Sequence, residues 1–231
     1  MVQVERTKTG IPGMDELIGG GFPKGNLIVI AGDPGSGKTS LCLQYLYNGA
    51  TQFNEAGIFI SMEESGEEII EYAEQFGFDF KKLINSGKLK LIAVELYDFD
   101  KLKNLIEDTV QSIGAKRLVI DPGVIFRLYF ERELDARKRI VSLGKMLKSI
   151  ACTSIITNEI SLDKTQSLFG LEEYVADGVI LMYHTKIENR FVRSIGVLKM
   201  RSTKISEKLH PLLITSKGVQ VLPKQELFEE L

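Results

Sequence analysis

The stretch that decides the fold is Gly32-Asp33-Pro34-Gly35-Ser36-Gly37-Lys38-Thr39. It fits the phosphate-loop pattern G-x-x-x-x-G-K-[S/T] at every defined position. The apolar run at residues 27–31 before it predicts a buried strand, and Gly49 is placed to end the helix that follows. Apolar residues at helical spacing predict that helix: Leu41, Cys42, Tyr45 and Leu46. Strand, glycine loop and helix together are the context that such a loop requires.

The composition of this loop suits the binding of phosphate groups. Glycines let successive backbone N–H groups turn inward towards an anion, and the start of the helix adds its positive dipole end. Lys38 is expected to reach the β- and γ-phosphates as a catalytic cation, and the Thr39 hydroxyl is expected to bind Mg²⁺. The residues expected to bind a nucleoside triphosphate are Asp33, Pro34, Gly35, Ser36, Gly37, Lys38, Thr39 and Ser40.

Length and composition limit the classes of function. The 231 residues suffice for one large domain or two small ones. With 29 basic and 31 acidic residues, the chain has no general attraction to nucleic acid or to an anionic membrane. Cys42 and Cys152 lie in apolar segments without CxxC spacing, as expected of core residues in a reducing compartment. Without an N-terminal signal or an apolar run of 18 residues, the expectation is a cytoplasmic protein with no membrane partner.

Strands and helices alternate along most of the chain. A Ser65/Glu68 capping box predicts the start of a helix, and Gly114 the end of another. Strands are predicted at 27–31, 57–62, 89–94, 116–121, 153–157 and 178–183, helices at 65–76, 99–113 and 133–149, and antiparallel strands at 191–200, 209–215 and 218–222. This order predicts an α/β fold with a mostly parallel sheet, flanked by helices on both faces.

No break in the pattern separates two domains. We therefore expect a single domain over residues 1–231. Its parts would be a glycine-rich N-terminal segment (1–26), a phosphate-loop core (27–183), antiparallel strands (184–222) and a polar tail (223–231). The tail is expected to be solvated or to form a short helix.

Acids that end strands are the candidate catalytic groups, because ligands of open parallel sheets lie beyond the carboxyl ends of the strands. Asp121 follows an apolar strand, as expected of the acid that holds Mg²⁺ opposite Thr39, although an ordinary turn Asp before Pro122 is the alternative. Glu63 and Glu64 point to opposite faces. One would polarise the attacking water and the other would favour the helix N-terminus, and we prefer Glu63 as the base.

Lys199 and Arg201 are a further candidate pair. Two residues apart in a strand-like segment, their side chains would project from one face. Such cations usually form a solvated surface. In a nucleoside triphosphatase they could instead reach the γ-phosphate bound by a neighbouring copy, as arginine fingers do. The pattern alone leaves both interpretations open.

With these residues identified, the chain resembles the KaiC-like ATPases of the RecA superfamily from about residue 8 to 222. The segments that carry the resemblance are 9–25, the phosphate loop, 61–65, the Asp121 strand, 171–177 and 199–203. The resemblance implies a RecA-like core, an archaeal source, ATP with Mg²⁺, adjacent catalytic glutamates at Glu63 and Glu64, and a hexameric ring with ATP between subunits. It also implies that Lys199 and Arg201 serve the neighbour's nucleotide.

Four departures limit what the resemblance implies. KaiC has two such domains, whereas one is expected here. Glu172 and Glu173 occupy the place of the phosphorylated Ser and Thr of the clock protein, so autophosphorylation is not expected. Lys204-Ile205 stands where the family often has His, and Pro122-Gly123 follows the metal acid in place of a small polar residue. The nucleotide contacts that the family makes at these two positions are therefore not expected in this chain.

Two other functions remain open. One is a DNA-binding recombination accessory resembling RadA paralogues, because basic residues cluster after Asp121: Arg127, Arg132, Arg137, Lys138 and Arg139. Three acids are interleaved with them, which favours a solvated helix face: Glu131, Glu133 and Asp135. The other is a non-hydrolysing ATP-binding scaffold resembling the regulatory ATPase of the archaellum, against which the intact glutamate pair argues.

Overall fold

The structure is a computed structural model that describes residues 4–94, 98–122, 132–159 and 175–227. Its strands are β1 (Arg6–Thr7), β2 (Phe22–Pro23), β3 (Leu27–Gly32), β4 (Gly57–Ser61), β5 (Leu89–Ala93), β6 (Arg117–Asp121), β7 (Thr153–Glu159), β8 (Gly178–Ile187), β9 (Arg190–Met200), β10 (His210–Thr215) and β11 (Gly218–Val221). Its helices are α1 (Met14–Leu17), α2 (Lys38–Gln52), α3 (Gly66–Glu74), α4 (Phe80–Asn85), α5 (Phe99–Ile113) and α6 (Glu133–Ser149).

Over these residues, one nine-stranded sheet forms the centre of the molecule, in the order β11-β10-β9-β8-β3-β7-β6-β4-β5. The six strands from β8 to β5 are parallel. The three strands β9, β10 and β11 add antiparallel pairs at the β8 side. This is the predicted α/β fold, with a mostly parallel sheet and antiparallel strands at the C-terminal end of the chain.

The sheet is covered on both faces because its strands are apolar on both sides. In β3 all six residues are buried, and alternate residues enter different cores. Ile28 and Ile30 pack with the cluster that contains α1 to α4, whereas Leu27 and Val29 pack with the cluster of α5 and α6. The phosphate loop therefore follows a strand that is fixed on both faces.

The predicted helix starts and ends hold, with one exception. Ser65 and Glu68 form the capping box of α3, and Gly114 caps α5 in the left-handed conformation. Gly49 was expected to end α2, but the helix continues to Gln52. A Cβ at Gly49 would lie 2.4 Å from Arg117 Cδ, so this glycine allows a buried side chain to approach the helix and does not terminate it.

Two boundaries also differ from the predictions. Strand β8 extends to Ile187, because it pairs with β9 along its whole length, so the proposed limit of the core at residue 183 falls inside a strand. The described part of the tail, residues 223–227, is attached to the start of β10: Leu227 N donates to Leu209 O at 3.2 Å, and Gln225 O contacts His210 Nδ1 at 2.8 Å. Helix α4 and the small β1–β2 ribbon were not predicted.

Candidate nucleotide-binding site

The phosphate loop joins the carboxyl end of β3 to the first turn of α2. Gly35 and Gly37 have φ angles of 74° and 99°, in the left-handed region that favours glycine. A Cβ at Gly37 would lie 2.7 Å from Ile214 Cδ1, so a larger residue would also collide with β10. Asp33 N donates to Met182 O at 3.1 Å, which fixes the loop to β8. The loop therefore has its curled shape for local and tertiary reasons.

The inner side of this loop presents donors that suit an anion. Gly37 is the N-cap of α2 and supplies no side-chain cap, so the first N–H groups of the helix have no intrahelical acceptor. Ser36 Oγ is buried and has no hydrogen-bond partner among the described residues. A phosphate group binds where unpaired donors meet the positive end of a helix dipole. The residues present therefore fit the phosphates of a nucleotide.

Lys38 lies at the mouth of the loop. Its Nζ donates to Gly32 O at 2.8 Å and to Asp33 O at 3.1 Å. Burial lowers the pKa of Lys38, while the nearby carboxylates of Glu159 and Asp121 act in the opposite direction. The Lys38 ammonium thus donates to carbonyl oxygens of the loop. Phosphate oxygens would be expected to take the place of these acceptors when a nucleotide binds.

Asp121 ends β6 and makes the contact expected of the metal acid. Thr39 Oγ1 donates to its Oδ2 at 2.7 Å, and Thr157 Oγ1 donates to its Oδ1. The residue is only 5% exposed. In the described part of the chain, no three His, Cys, Asp or Glu side chains form a metal cluster. Magnesium needs no such cluster, because it is usually held by one or two protein oxygens together with phosphates and water. Thr39 and Asp121 fit this role.

The two adjacent glutamates differ in their surroundings. Glu63 is exposed and Glu64 is half-buried. Burial, followed by the negative charge of Asp121, raises the pKa of Glu64. Ser61 Oγ donates to Glu64 O at 2.6 Å, which fixes the chain just beyond β4. The side-chain cap of α3 comes from Ser65 and Glu68, so neither acid is needed to cap that helix. The sequence-based preference for Glu63 as the base stays a prediction.

The phosphate loop lies at the carboxyl ends of the parallel strands, whereas Lys199 and Arg201 lie towards their amino ends. Lys199 pairs with Val179, which is level with Val29 in β3, and Arg201 follows the end of β9. At about 3.3 Å per residue, Arg201 is roughly 15 Å from Gly32 along the strand direction. Arg201 is exposed, and its Nη1 lies 3.2 Å from Asp177 Oδ1. The pair cannot reach the loop of its own chain.

Sequence reasoning missed several neighbours of the loop. Glu159 ends β7 and pairs in register with Gly32, a strand-end position that could have identified it. Thr157, the second hydrogen-bond partner of Asp121, lies in the mostly buried strand β7, and nothing in the pattern of that strand distinguishes it. Arg193 Nε donates to Gly35 O at 2.9 Å, although Arg193 comes from β9. No local pattern in the sequence predicts that contact, since it depends on the pairing of β8 with β9.

The basic residues after Asp121 are only partly described. Arg127, Glu131, Glu172 and Glu173 lie outside the described residues, as do Gly123 and the last four residues of the chain. Arg132 precedes α6, and three further cations of the group are exposed on that helix: Arg137, Lys138 and Arg139. Arg139 forms an ion pair with Asp100 of α5. These cations therefore form a solvated helix face, at least in part.

The sheet order, the loop after β3 and the acid that binds its threonine define a RecA-like P-loop fold of the nucleotide-binding class. The chain belongs to the KaiC ATPase family, whose model matches residues 7–226. Membership of this family supports ATP binding. Among the described residues, no helix has the length and apolar character needed to cross a bilayer.

Named relatives agree with this assignment. A UPF0273 protein of Methanocaldococcus jannaschii is 34% identical, over 97% of this chain and 99% of that protein. The circadian clock oscillator protein KaiC of Picosynechococcus is 33% identical over 95% of this chain, but the match covers 45% of that protein. The crystal structure of a KaiC-like protein from the hyperthermophilic archaeon Pyrococcus horikoshii matches with a TM-score of 0.86 and 35% identity, over 96% of this chain and 100% of that one.

Proposed function

We propose that this protein is a Mg²⁺-dependent ATPase of the KaiC type that hydrolyses ATP to ADP and phosphate. The observation that carries the proposal is the 2.7 Å hydrogen bond from Thr39 Oγ1 to Asp121 Oδ2. It joins the loop that would hold the phosphates to the acid that would hold the metal. Bound Mg²⁺ would neutralise charge that develops on the phosphate oxygens. A cytoplasmic location accords with this activity.

The chain's own residues would bind and orient the nucleotide. The N–H groups of the loop would donate hydrogen bonds to the phosphate oxygens, and Lys38 would leave the carbonyls of Gly32 and Asp33 to bind the terminal phosphates. Glu63 or Glu64 would accept a proton from the attacking water. The side chains of the loop region that the sequence indicated for this site are Asp33, Pro34, Ser36, Lys38, Thr39 and Ser40.

The catalytic cations would come from a second copy of the chain. Arg201 lies roughly 15 Å from Gly32 along the strand direction and Lys199 lies two residues closer, so neither side chain reaches the phosphate loop of its own chain. A head-to-tail interface would bring the β9 end of one copy to the phosphate loop of the next, and such an interface forms a ring when the rotation between copies closes. We propose a homo-oligomer, with six subunits as the expected number, in which ATP hydrolysis switches the assembly or its contacts with partners.

Mixed oligomers test this arrangement. Arg201→Ala is expected to lower phosphate release by roughly 10²- to 10³-fold, because it removes charge stabilisation from the neighbour's site. Lys38→Ala is expected to be inactive because its own phosphate loop cannot bind the terminal phosphates. When the two variants are combined in equal amounts, an intact loop meets intact cations at about a quarter of interfaces in a ring. Activity should therefore rise to about a quarter of the wild-type value.

The control for the mixing experiment is Lys101→Ala, which removes an exposed cation of α5, a helix that contributes no residue to the phosphate loop or to the Lys199 and Arg201 pair. It should retain wild-type activity. Light scattering with and without ATP and Mg²⁺ measures assembly in the same samples. Mixed samples no more active than the two variants alone would refute the trans arrangement. Binding of ATP by the wild type with no phosphate release would favour the non-hydrolysing scaffold.

A further inference from the structure

Arg6 joins two parts of the chain, one close to it in sequence and one that includes Thr203, 197 positions further along. On one side, its Nη1 donates to Gly21 O at 2.9 Å and to Ile18 O at 3.2 Å, both in the glycine-rich N-terminal segment. On the other side, Nη1 lies 3.1 Å from Thr203 Oγ1 and Nη2 lies 3.5 Å from Ser202 O. The half-buried guanidinium therefore bridges the N-terminal segment and the turn after β9.

That turn, residues 201–203, begins with Arg201, one of the two proposed trans-acting cations, and lies two residues after the other, Lys199. Ser202 has a φ angle of 57°, a left-handed conformation that costs energy for a residue other than glycine. Thr203 Oγ1 accepts from Arg6 and donates to Arg201 O at 3.3 Å. A chain of hydrogen bonds thus runs from the Arg6 guanidinium to the backbone of Arg201. Asp177 holds the same residue from the other side, because Arg201 N donates to Asp177 O at 2.9 Å.

The N-terminal segment is shaped to hold Arg6 in this place. Gly21 has a φ angle of 129°, and a Cβ there would lie 2.5 Å from Thr7 O, so only glycine lets the segment close against β1. Beyond the turn, Ser206 N donates to Leu17 O at 2.9 Å, which attaches the following loop to α1. The described contacts of Arg6 include none with residues 32–39. Its influence is therefore directed at the turn and not at the phosphate loop of its own chain.

We propose that Arg6 is a positioning residue for catalysis in trans. It holds the turn so that Lys199 and Arg201 are presented in one arrangement to the nucleotide of the neighbouring copy. This inference rests on the proposed function, because it assigns to Arg6 a part in the trans-acting site. It also gives two of the segments that carry the resemblance, 9–25 and 199–203, a joint role, because Arg6 connects Gly21 of the first with Thr203 of the second.

The first test is kinetic. Arg6→Ala is expected to lower kcat for phosphate release by roughly 10- to 100-fold, because small displacements of catalytic groups have effects of this size. KM for ATP should change by no more than about twofold, since the loop that binds the nucleotide is untouched. Arg6→Lys should give an intermediate rate, because one ammonium cannot reproduce the planar set of donors. Lys24→Ala is the matched control: Lys24 directly follows β2 and forms an exposed ion pair with Glu5 at 2.9 Å, so the kcat of this variant should be unchanged.

The second test is the mixing experiment, with Arg6→Ala in place of Arg201→Ala. Combined with Lys38→Ala in equal amounts, it should recover about a quarter of wild-type activity, because its own loop is intact and the partner's turn is correctly held. If Arg6→Ala and Arg6→Lys both keep wild-type kcat, the inference is wrong. It is also wrong if Arg201→Ala is complemented by Lys38→Ala while neither Arg6 variant is. If Arg201→Ala itself is not complemented, the trans site fails and the role of Arg6 fails with it.

Folding of the variants is checked separately. Thermal unfolding of Arg6→Ala is compared with that of Lys24→Ala, and Arg6→Lys replaces Arg6→Ala in both tests if the alanine variant does not fold. A purely structural role would damage the variant's own active site. In that case the mixture with Lys38→Ala would recover no activity, whereas a positioning role predicts recovery.

Discussion

Glu63→Gln is expected to lower steady-state phosphate release by about 10²- to 10⁴-fold, the usual contribution of a general base. The amide keeps the shape of the side chain but cannot accept a proton from water. Binding of ATP, measured by fluorescence of a labelled nucleotide, should stay within about threefold of the wild type because Glu63 lies outside the phosphate loop. Activity and binding would therefore separate in this variant, whereas Lys38→Ala is expected to lose both.

Glu64→Gln is the matched comparison, since it makes the same change at the adjacent residue. If Glu63 is the base, Glu64→Gln should reduce phosphate release far less than Glu63→Gln. A larger loss in Glu64→Gln would assign the base to Glu64, and wild-type turnover no faster than that of Glu63→Gln would remove Glu63 from the mechanism. The half-buried position of Glu64 beside Asp121 makes this comparison necessary.

The pH profile separates the two acids by another route. Burial is the main cause that raises the pKa of Glu64, and it persists when Mg²⁺ offsets the second cause, the charge of Asp121, so this carboxyl is protonated at a higher pH than an ordinary glutamate. A base must be deprotonated, and activity is therefore lost as the pH falls through its pKa. If Glu64 is the base, activity should begin to fall, as the pH is lowered, at a higher pH than is usual for a carboxylate. With Glu63 as the base, the acid limb measured for Glu64→Gln should match that of the wild type.

The parts of the site that were predicted from the sequence are those fixed by local patterns. The phosphate loop has a defined spacing, and Asp121 comes directly after the apolar residues 118–120 of its strand, so its place at the edge of the sheet follows from the parallel order. The same reasoning placed Glu63 and Glu64 beyond β4. It could not say which of them is buried, because that depends on where α3 and β6 lie relative to the strand end.

The contacts that were not predicted depend on pairings between distant parts of the chain. Arg193 reaches the phosphate loop because β9 returns antiparallel beside β8. Arg6 reaches Thr203 because the N-terminal segment folds over the end of that strand. Neither residue stands in a motif, and an isolated arginine is usually read as a solvated surface cation. Their roles become visible only when donors and acceptors are assigned in three dimensions.

Gly49 illustrates how a local signal can be overridden, and it leads to the largest expected effect on stability. Replacing a glycine inside a helix by alanine usually stabilises a protein by about 0.5–1 kcal/mol. At Gly49 the added Cβ would lie 2.4 Å from both Cδ and Nε of Arg117. We expect Gly49→Ala to lower the free energy of unfolding by about 2–4 kcal/mol, through overpacking and disturbance of a buried ion pair.

Arg117 cannot move aside without breaking its other contacts. Its side chain is fully buried. Its Nε donates to Glu55 Oε2 at 2.7 Å, Nη1 to Tyr45 O at 2.8 Å and Nη2 to Lys8 O at 2.7 Å. The guanidinium also lies 4.5 Å from the centre of the Tyr45 ring. One residue of β6 therefore connects the N-terminal segment, α2 and the loop after it, so a displacement would affect all three.

The measurement is equilibrium unfolding in urea, with Gly144→Ala as the matched control. Gly144 is also inside a helix, but a Cβ there would meet only Leu27 Cδ2, at an ordinary 3.5 Å, so this variant should be more stable than the wild type by about 0.5–1 kcal/mol. The same Gly→Ala substitution should thus change the free energy of unfolding in opposite directions in the two helices. Adding Arg117→Met to Gly49→Ala should cost less than the sum of the single changes, because the obstacle has been removed. Equal stabilisation by both alanines, or simple additivity in the double variant, would show that Arg117 does not hold this position.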